Sequence, residues 1–276
     1  MDFKSNTMNL NFSGDVGYLT FKNLEKYSFL RHAYSTRLGG VSKNEFKSMN
    51  LSFSCGDDAE SVMKNYEIFC NALNFDMNKI VRTKQVHENE IEIISEKDVM
   101  GKEFEQEVSE TADGLITNVP GIILSTRHAD CLAIFMFDPV LKVIGLAHAG
   151  WRGTVAKIAK SLFDAFVNHY GSDPQNIVCA LGPGIGQCCF EVDENTFEEF
   201  KSMNLPNFDS FYIQNGNKFN IDTLKVNKQL LIDCGIKKQN IFGSDVCTNC
   251  NHELLFSHRA SGGRRGNNAA FIMIKN

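Results

Sequence analysis

The sequence predicts an α/β fold in which helices and mixed β-sheets form layers of a sandwich. Short apolar runs of strand length follow one another along the chain, and amphipathic helical patterns are interspersed among them without strict alternation. No linker rich in Pro, Ser or Gly divides the 276 residues. We therefore expect a single domain over residues 1–276.

Four segments have the periodicity of amphipathic helices: residues 58–73, 154–171, 193–203 and 222–235. The second is the clearest, because its apolar side chains recur every three or four positions and form one face. Thr154 is the expected N-cap of this helix and Gly171 its expected C-cap. Asp193 is the expected N-cap of the third helix.

Six apolar runs predict strands: residues 90–95, 121–126, 132–137, 142–149, 176–181 and 269–275. The run 132–137 is apolar at every position, which is typical of a strand buried on both faces. A turn at Asp138-Pro139 is expected to join it to the following strand.

Composition excludes some classes of function. Apolar content of 43% and charged content of 22% are ordinary for a globular protein, and a net charge of −5 gives no reason to expect a nucleic-acid partner. The sequence contains no run of 18 apolar residues, so no membrane span is predicted. The N-terminal residues lack the apolar stretch of an export signal. The nine irregularly spaced cysteines are therefore expected to be reduced thiols in the cytoplasm.

Three side chains at strand ends are candidates for chemistry. Cys131 precedes one predicted strand, His148 lies near the end of the next, and His87 lies just before another. Two imidazoles and one thiolate make a three-ligand catalytic zinc set, which leaves a fourth position for water. Ordinary buried histidines and a buried cysteine are the alternative interpretation, because this spacing matches no short metal-binding motif.

Six segments, in order along the chain, resemble the YfiH-type family: HAYSTRLGGVS, KQVH, ADGLITNVPGIILSTRHADCLAIFMFDP, GLAHAGWRGT, LGPGIGQCCFEV and CTNCNHELLFSHRASGG. That family is also known by the names polyphenol oxidoreductase, laccase-domain protein and peptidoglycan editing factor. The resemblance extends from about Arg31 to the C-terminus. It implies a single-domain fold similar to the CNF-toxin-like cysteine hydrolases.

The resemblance also implies ligands and an activity. The family's zinc ligands correspond here to His87, Cys131 and His148. Its members phosphorolyse adenosine, inosine, guanosine and methylthioadenosine, and they deaminate adenosine hydrolytically. Purine nucleosides and phosphate are thus the expected small-molecule partners.

Three further residues are candidate substrate-binding groups. Arg37 and Arg152 lie beside glycines, where the backbone can approach a ligand closely, and a guanidinium fork suits phosphate, although surface ion pairs are the alternative. We expect Arg37 to bind the phosphate and Gln85, close to His87, to face the pocket. Asp130 is expected to orient a ligand or to cap a strand, and Asp113, which precedes a glycine, is expected to be a turn residue.

The C-terminal segment raises the question of a second metal site. Cys247 and Cys250 form a C-x-x-C motif with His252 and His258 close by. The family pattern does not support such a site, and this chain departs from that pattern at His258, Ala260 and Asn267. We therefore expect Cys247 and Cys250 to be reduced and to bind no zinc. The adjacent Cys188 and Cys189 are expected not to bridge each other, and one of them to pack as a small apolar group.

Other functions remain open. Cys131 could act as a nucleophile with His148 as its base, as in a cysteine hydrolase or a peptidoglycan-editing enzyme. A copper polyphenol oxidase fits less well, because such centres favour clustered imidazoles and the chain has seven histidines and no H-x-H pair. A non-enzymatic partner of cell-division or cell-wall machinery is a further alternative. The oligomeric state is not indicated.

Overall fold

The structure, a computed structural model, describes residues 3–101 and 103–275. The strands in these residues are β1 (Met8–Ser13), β2 (Val16–Phe21), β3 (Leu30–Ser35), β4 (Ile80–Val81), β5 (Ile91–Ile93), β6 (Gly114–Thr117), β7 (Ile123–His128), β8 (Leu132–Asp138), β9 (Val143–Ala149), β10 (Val178–Leu181), β11 (Glu191–Val192), β12 (Tyr212–Asn215), β13 (Lys218–Ile221), β14 (Ile241–Gly243) and β15 (Asn268–Ile274). The α-helices are α1 (Ala59–Leu73), α2 (Trp151–Val155), α3 (Ile158–Tyr170), α4 (Glu194–Ser202), α5 (Thr223–Asp233) and α6 (His258–Ser261). None of the helices in these two ranges is long and apolar enough to cross a membrane.

Two six-stranded sheets make up most of the fold. The first has the strand order β1-β2-β3-β15-β7-β4, and the second has the order β14-β10-β8-β9-β6-β5. Each sheet combines antiparallel pairs with parallel pairing at an edge, as between β4 and β7 and between β5 and β6. A three-stranded sheet, β11-β13-β12, packs against α4. The expectation of mixed sheets is confirmed.

Apolar cores separate successive layers. Leu124 of the first sheet and Phe135 of the second belong to the core between the two large sheets. On the opposite face of the first sheet, Phe69 of α1 stacks on Phe271 with ring centroids 5.0 Å apart. Helix α3 buries Phe166 against the opposite face of the second sheet. The order helix, sheet, sheet, helix confirms the predicted layered α/β sandwich.

Several local signals in the sequence lead to the observed elements. Helix α1 begins after Asp58, whose carboxylate accepts a hydrogen bond from the Ser61 amide, and α4 begins in the same way after Asp193. Every residue of β8 is buried, as its unbroken apolar run predicts. Strands β1 to β3 were not among the predicted elements, although the alternation of apolar and polar residues in Met8–Ser13 is typical of a strand.

The helix predicted over residues 154–171 is wrong in its first part. The structure has two helices there, and Lys157 between them adopts a left-handed conformation with φ of 65°. Helix α2 begins after Gly150, so Thr154 lies inside it and is not an N-cap. Gly171, with φ of 71°, ends α3 as expected. Apolar periodicity continues across the break, so it does not reveal the change of direction at Lys157.

Strand register brings the chemically active residues together. Strand β9 lies between β8 and β6, with Ala133 opposite His148 in one pair and Gly114 opposite Ala147 in the other. Cys131 just precedes β8 and Asp113 just precedes β6, so both lie beside His148. The loop between β4 and β5 carries His87 to the same end of the sheet.

Candidate metal centre and its cavity

Three predicted ligands converge at this end of the second sheet. One ligand atom from each of His87, Cys131 and His148 lies within 4.8 Å of the others. The two imidazole rings are 4.8 Å apart between centroids and nearly perpendicular. His148 is buried, whereas His87 is exposed at the mouth of the site. We call these three residues the His/Cys/His group.

Asp113 positions both histidines. Its Oδ1 accepts a hydrogen bond from Nδ1 of His148 at 2.7 Å, and its Oδ2 accepts from the backbone amides of Val86 and Glu88 at 2.9 and 3.0 Å. The carboxylate therefore holds the chain on both sides of His87, which has a left-handed φ of 67°. The expectation that Asp113 is only a turn residue is wrong, because its completely buried side chain joins two elements of the site.

Two further residues, His128 and Asp130, fix the segment that carries Cys131. The buried His128 donates from Nδ1 to the carbonyl of Cys131 at 3.1 Å and accepts at Nε2 from Thr126. Burial lowers the pKa of His128 well below its ordinary value, which keeps this imidazole neutral. Asp130, with φ of 84°, accepts hydrogen bonds from the Thr248 hydroxyl and the Arg259 amide. Asp130 thus fixes the loop next to the thiol.

Gly150 leaves the space that the His/Cys/His group occupies. A Cβ atom at this position would lie 2.9 Å from Cδ2 of His87 and 3.2 Å from Sγ of Cys131. Its φ of −68° is ordinary, so glycine is needed here for space and not for backbone freedom. Any side chain at this position would force the ligands to move.

The thiol and imidazole form a charged pair when no metal is considered. Burial raises the pKa of Cys131, but the charge of His148 and hydrogen bonds from His148 and His87 outweigh it and lower the pKa to about 6. Burial lowers the pKa of His148, but Cys131 and Asp113 outweigh it and raise the pKa to about 9. At neutral pH the pair is therefore a thiolate and an imidazolium.

A cavity of about 710 Å³ opens over the His/Cys/His group. This volume is typical of a small-molecule site. Aromatic groups, acids and four arginines are among the lining side chains: Trp151, Phe190, Asp130, Glu191, Asp193, Arg127, Arg152, Arg259 and Arg265. Two imidazole nitrogens and one thiolate sulfur would suit a borderline-soft ion such as Zn²⁺, and three protein ligands would leave one coordination position open.

The arginines that line the cavity differ in whether their guanidinium groups have hydrogen-bond acceptors. Arg127 pairs with Glu107 at 2.6 Å, and Arg259 donates to the carbonyls of Cys189 and Glu191. Nε of Arg265 is buried and finds no acceptor in the described part of the chain. Arg265 was not a candidate in the sequence, where only its position in the glycine-containing segment SGGRRG could have suggested it.

Two of the predicted substrate-binding residues, Arg152 and Gln85, line the cavity but differ in their contacts. Arg152 lines the cavity and its guanidinium stacks over Trp151 at 4.3 Å. Gln85 also lines it, but its amide exchanges two hydrogen bonds with the backbone of Arg127, so it joins the His87 loop to β7. This arrangement leaves Arg152 the freer of the two to meet a ligand.

The structure does not bring Arg37 to the cavity, contrary to the sequence-based expectation. Its Nε donates to the carbonyl of Lys47 at 2.8 Å and its Nη1 to the carbonyl of His252 at 2.9 Å. The guanidinium also packs over the ring of Phe256 at 4.7 Å. Arg37 therefore joins backbone segments, because nearby carbonyls accept hydrogen bonds from its Nε and Nη1.

A second group of thiols was not foreseen. Cys188, Cys189, Cys247 and Cys250 each offer a sulfur within 4.8 Å of the other three, and we call them the four-cysteine group. His252 and His258 are not members of this group. Cys188 and Cys189 from a distant part of the chain are the neighbours of Cys250 instead, so the expectation that Cys247 and Cys250 bind no zinc remains a prediction.

The chain is similar to a family of known proteins along most of its length. A family model described as "Multi-copper polyphenol oxidoreductase laccase" matches residues 31–275. The chain is 31% identical over 246 residues to Purine nucleoside phosphorylase YlmD of Bacillus subtilis, covering 88% of this chain and 87% of that protein. It is 33% identical over 248 residues to Adenosine deaminase RL5 of an unknown prokaryotic organism, covering 87% and 94%. The crystal structure of the hypothetical protein YfiH of Bacillus licheniformis is similar with a TM-score of 0.90 and 30% identity, over 98% of this chain and 100% of that one.

Replacing Asp113 tests whether this carboxylate positions both histidines. An Asp113→Asn variant keeps the size of the side chain, but only its amide oxygen can accept, so it cannot accept from both the His148 imidazole and the backbone amides near His87. We expect its metal affinity to fall by about 10- to 100-fold, as for other groups that orient metal-binding histidines. Competition with a chromogenic zinc chelator measures the loss.

Asp138→Asn is the matched control for that experiment. Asp138 is equally buried but lies at the opposite end of β8, where its Oδ1 accepts from backbone amides in a turn. Equal zinc affinity in Asp113→Asn and Asp138→Asn would contradict the role assigned to Asp113.

Proposed function

The chain belongs to the family described as multi-copper polyphenol oxidoreductase laccases, and we propose that it is a zinc-dependent enzyme of purine nucleosides. The proposed reactions are phosphorolysis of adenosine, inosine, guanosine and methylthioadenosine, and hydrolytic deamination of adenosine. Similarity to proteins named purine nucleoside phosphorylase and adenosine deaminase supports this choice of substrate class. The central observation is the His/Cys/His group beneath a cavity that contains free cationic groups.

The donor sets favour zinc over a multicopper centre. In the described residues, the groups that could hold a metal are the His/Cys/His group and the four-cysteine group, and neither contains three imidazoles. Multicopper chemistry relies on clustered imidazoles, whereas zinc accepts mixed nitrogen and sulfur donors, and three protein ligands with one open position are typical of its catalytic sites. The family description alone therefore does not determine the metal.

Protein groups have distinct tasks in this proposal. Nε2 of His148 faces the thiol side of the site because Asp113 engages Nδ1. Zinc held by these ligands would act as a Lewis acid and would activate water as a nucleophile at neutral pH. Trp151 and Phe190 offer flat apolar surfaces in the cavity wall, which suit the faces of a purine ring. Burial of the His148 side chain shields its imidazole from bulk water.

We place the phosphate near Arg265 and Arg152. The buried, unpaired Nε of Arg265 needs an acceptor, and an anion in the cavity would supply one. Within residues 3–101 and 103–275, the one contact of the Arg152 guanidinium is with an aromatic ring, so its donors are available as well. Two guanidinium groups can together attract phosphate into a protein whose net charge is −5.

Zinc analysis tests the metal assignment. Replacing Cys131 by Ala removes the soft ligand of the His/Cys/His group, so bound zinc should fall by one ion per chain while the fold survives. Cys234→Ala is the control, because this half-buried thiol lies outside both thiol-containing groups. Elemental analysis after gel filtration gives the count. An unchanged zinc content in Cys131→Ala would overturn the assignment.

Substrate kinetics test the phosphate site. Arg265→Gln should raise the KM for phosphate in adenosine phosphorolysis by about 10- to 100-fold, since a hydrogen bond to a charged group contributes about 1.5–3 kcal/mol. Deamination of adenosine in phosphate-free buffer should change much less, because it uses no phosphate. Chromatography of adenine and inosine separates the two products.

Arg37→Gln is the comparison variant in that assay. Its side chain binds backbone carbonyls outside the cavity, so we expect unaltered phosphate dependence in the folded fraction. A phosphate defect in Arg37→Gln and none in Arg265→Gln would restore the sequence-based assignment.

A specific observation also favours a second candidate function, metal-free cysteine catalysis. Cys131, His148 and Asp113 have the order of a nucleophile, a base and a group that orients the base. The lowered pKa of about 6 for Cys131 would give a thiolate at neutral pH. A cysteine hydrolase or peptidoglycan-editing activity would use this arrangement.

Alkylation of chelator-treated protein distinguishes the two candidates. The rate at which iodoacetamide modifies Cys131 should rise with pH through about 6, because only the thiolate reacts, whereas Cys70, whose pKa burial raises to about 12, should stay unmodified. Peptide mass spectrometry follows both sites. We expect chelation alone to abolish nucleoside turnover and zinc to restore it. Full activity without metal, lost only on alkylation, would favour the cysteine mechanism.

A further inference from the structure

We propose that Cys188, Cys189, Cys247 and Cys250 form a structural four-thiolate zinc site that is separate from the His/Cys/His group. The four residues come from two loops more than fifty positions apart in the sequence. Zinc would join these loops at the edge of the cavity. The proposal does not depend on the reaction that the cavity supports.

The positions of the sulfur atoms fit such a site. All four lie within 4.8 Å of one another, and Sγ of Cys250 is 3.6 Å from that of Cys188 and 3.5 Å from that of Cys189. Tetrahedral zinc with bonds of about 2.3 Å separates its sulfur ligands by roughly 3.8 Å. The observed distances are well above the roughly 2.05 Å of a disulfide bond. Four protein ligands complete the coordination, as in structural sites.

The backbone brings the two loops into register. Cys247 forms a parallel bridge with Gly184, and the Thr248 amide donates to the Gly184 carbonyl at 3.0 Å. Cys247 and Cys250 have the C-x-x-C spacing of zinc ligands. The adjacent Cys188 and Cys189 lack such spacing, but the turn after Gly186 directs both sulfurs towards Cys250.

Two donors already point at the sulfurs. The Gly186 amide donates to Sγ of Cys247 at 3.2 Å, and Nδ2 of Asn249 donates to Sγ of Cys189 at 3.1 Å. Donors of this kind stabilise the negative charge of metal-bound thiolates. A Cβ on Gly186 would lie 3.2 Å from Cβ of Cys247 and 3.3 Å from Sγ of Cys188, so a glycine lets the loop approach the sulfurs closely.

The site would stiffen one wall of the cavity. Arg259 donates to the carbonyls of Cys189 and Glu191 at 2.8 and 2.9 Å, so the wall and the four-cysteine group share these contacts. Thr248, next to Cys247, donates to Asp130, which precedes Cys131. A metal that holds the two loops together would thus restrain the segment beside the His/Cys/His group.

The test uses the full chain purified in the presence of zinc. We expect two zinc ions per chain in the wild type, one in Cys188→Ser/Cys250→Ser, and two in the control Cys234→Ser, as counted by elemental analysis. X-ray absorption of the zinc left in Cys131→Ala should show four sulfur neighbours. This second measurement tests the proposal even if the double variant does not fold.

Three results would overturn the proposal. They are an unchanged zinc content in Cys188→Ser/Cys250→Ser, nitrogen or oxygen donors around the zinc of Cys131→Ala, and a disulfide from Cys250 to Cys188 or Cys189 in peptide mapping under non-reducing conditions. The outcome is independent of the proposed enzymatic function. Loss of one zinc in Cys131→Ala tests the His/Cys/His group, and loss of one zinc in the double variant tests the four-cysteine group.

Discussion

The geometry of the His/Cys/His group depends on one buried carboxylate. An ionised carboxyl group removed from water is costly unless hydrogen bonds replace its hydration. Asp113 accepts three such bonds, from His148 and from the amides of Val86 and Glu88. Burial raises the pKa of Asp113, but these partners and the charge of His148 outweigh it, so the pKa lies below its ordinary value. The charge is thus stabilised only while both histidine-bearing segments remain in place.

Protons and metal compete for the same ligand atoms. Without metal, His148 holds a proton up to a pKa of about 9, and Cys131 is a thiolate above about 6. A metal ion needs the neutral imidazole and the thiolate, so at neutral pH it displaces a proton from His148 but none from Cys131. The same pair can therefore be described as a metal site or as a nucleophile and its base. The chemistry that prevails depends on metal occupancy.

Local patterns in the sequence predicted much of the fold and marked His87, Cys131 and His148 as candidates, and the family resemblance implied a metal-binding role for them, but neither predicted the contacts between distant segments. Strand β8 and the turn at Asp138-Pro139 could be predicted directly, because apolar runs and turn-forming residues are local features of the sequence. The left-handed Lys157, the role of Asp113 and the satisfied donors of Arg37 depend on neighbours that only tertiary packing supplies. The sequence around Cys247 did not indicate Cys188 as its neighbour for the same reason, because Cys188 lies on another loop.

The two proposed metal sites would differ in the way that separates catalytic from structural zinc sites. The His/Cys/His group offers three potential ligands and faces a cavity, whereas the four-cysteine group offers four and lies in paired loops. They are linked through Asp130, whose carbonyl accepts from the Ile185 amide and whose side chain binds Thr248. Cys131 directly follows Asp130. A restraint on the loops of the four-cysteine group is therefore transmitted to the His/Cys/His group through only a few bonds. A site carried on loops needs such support to hold its ligands in place.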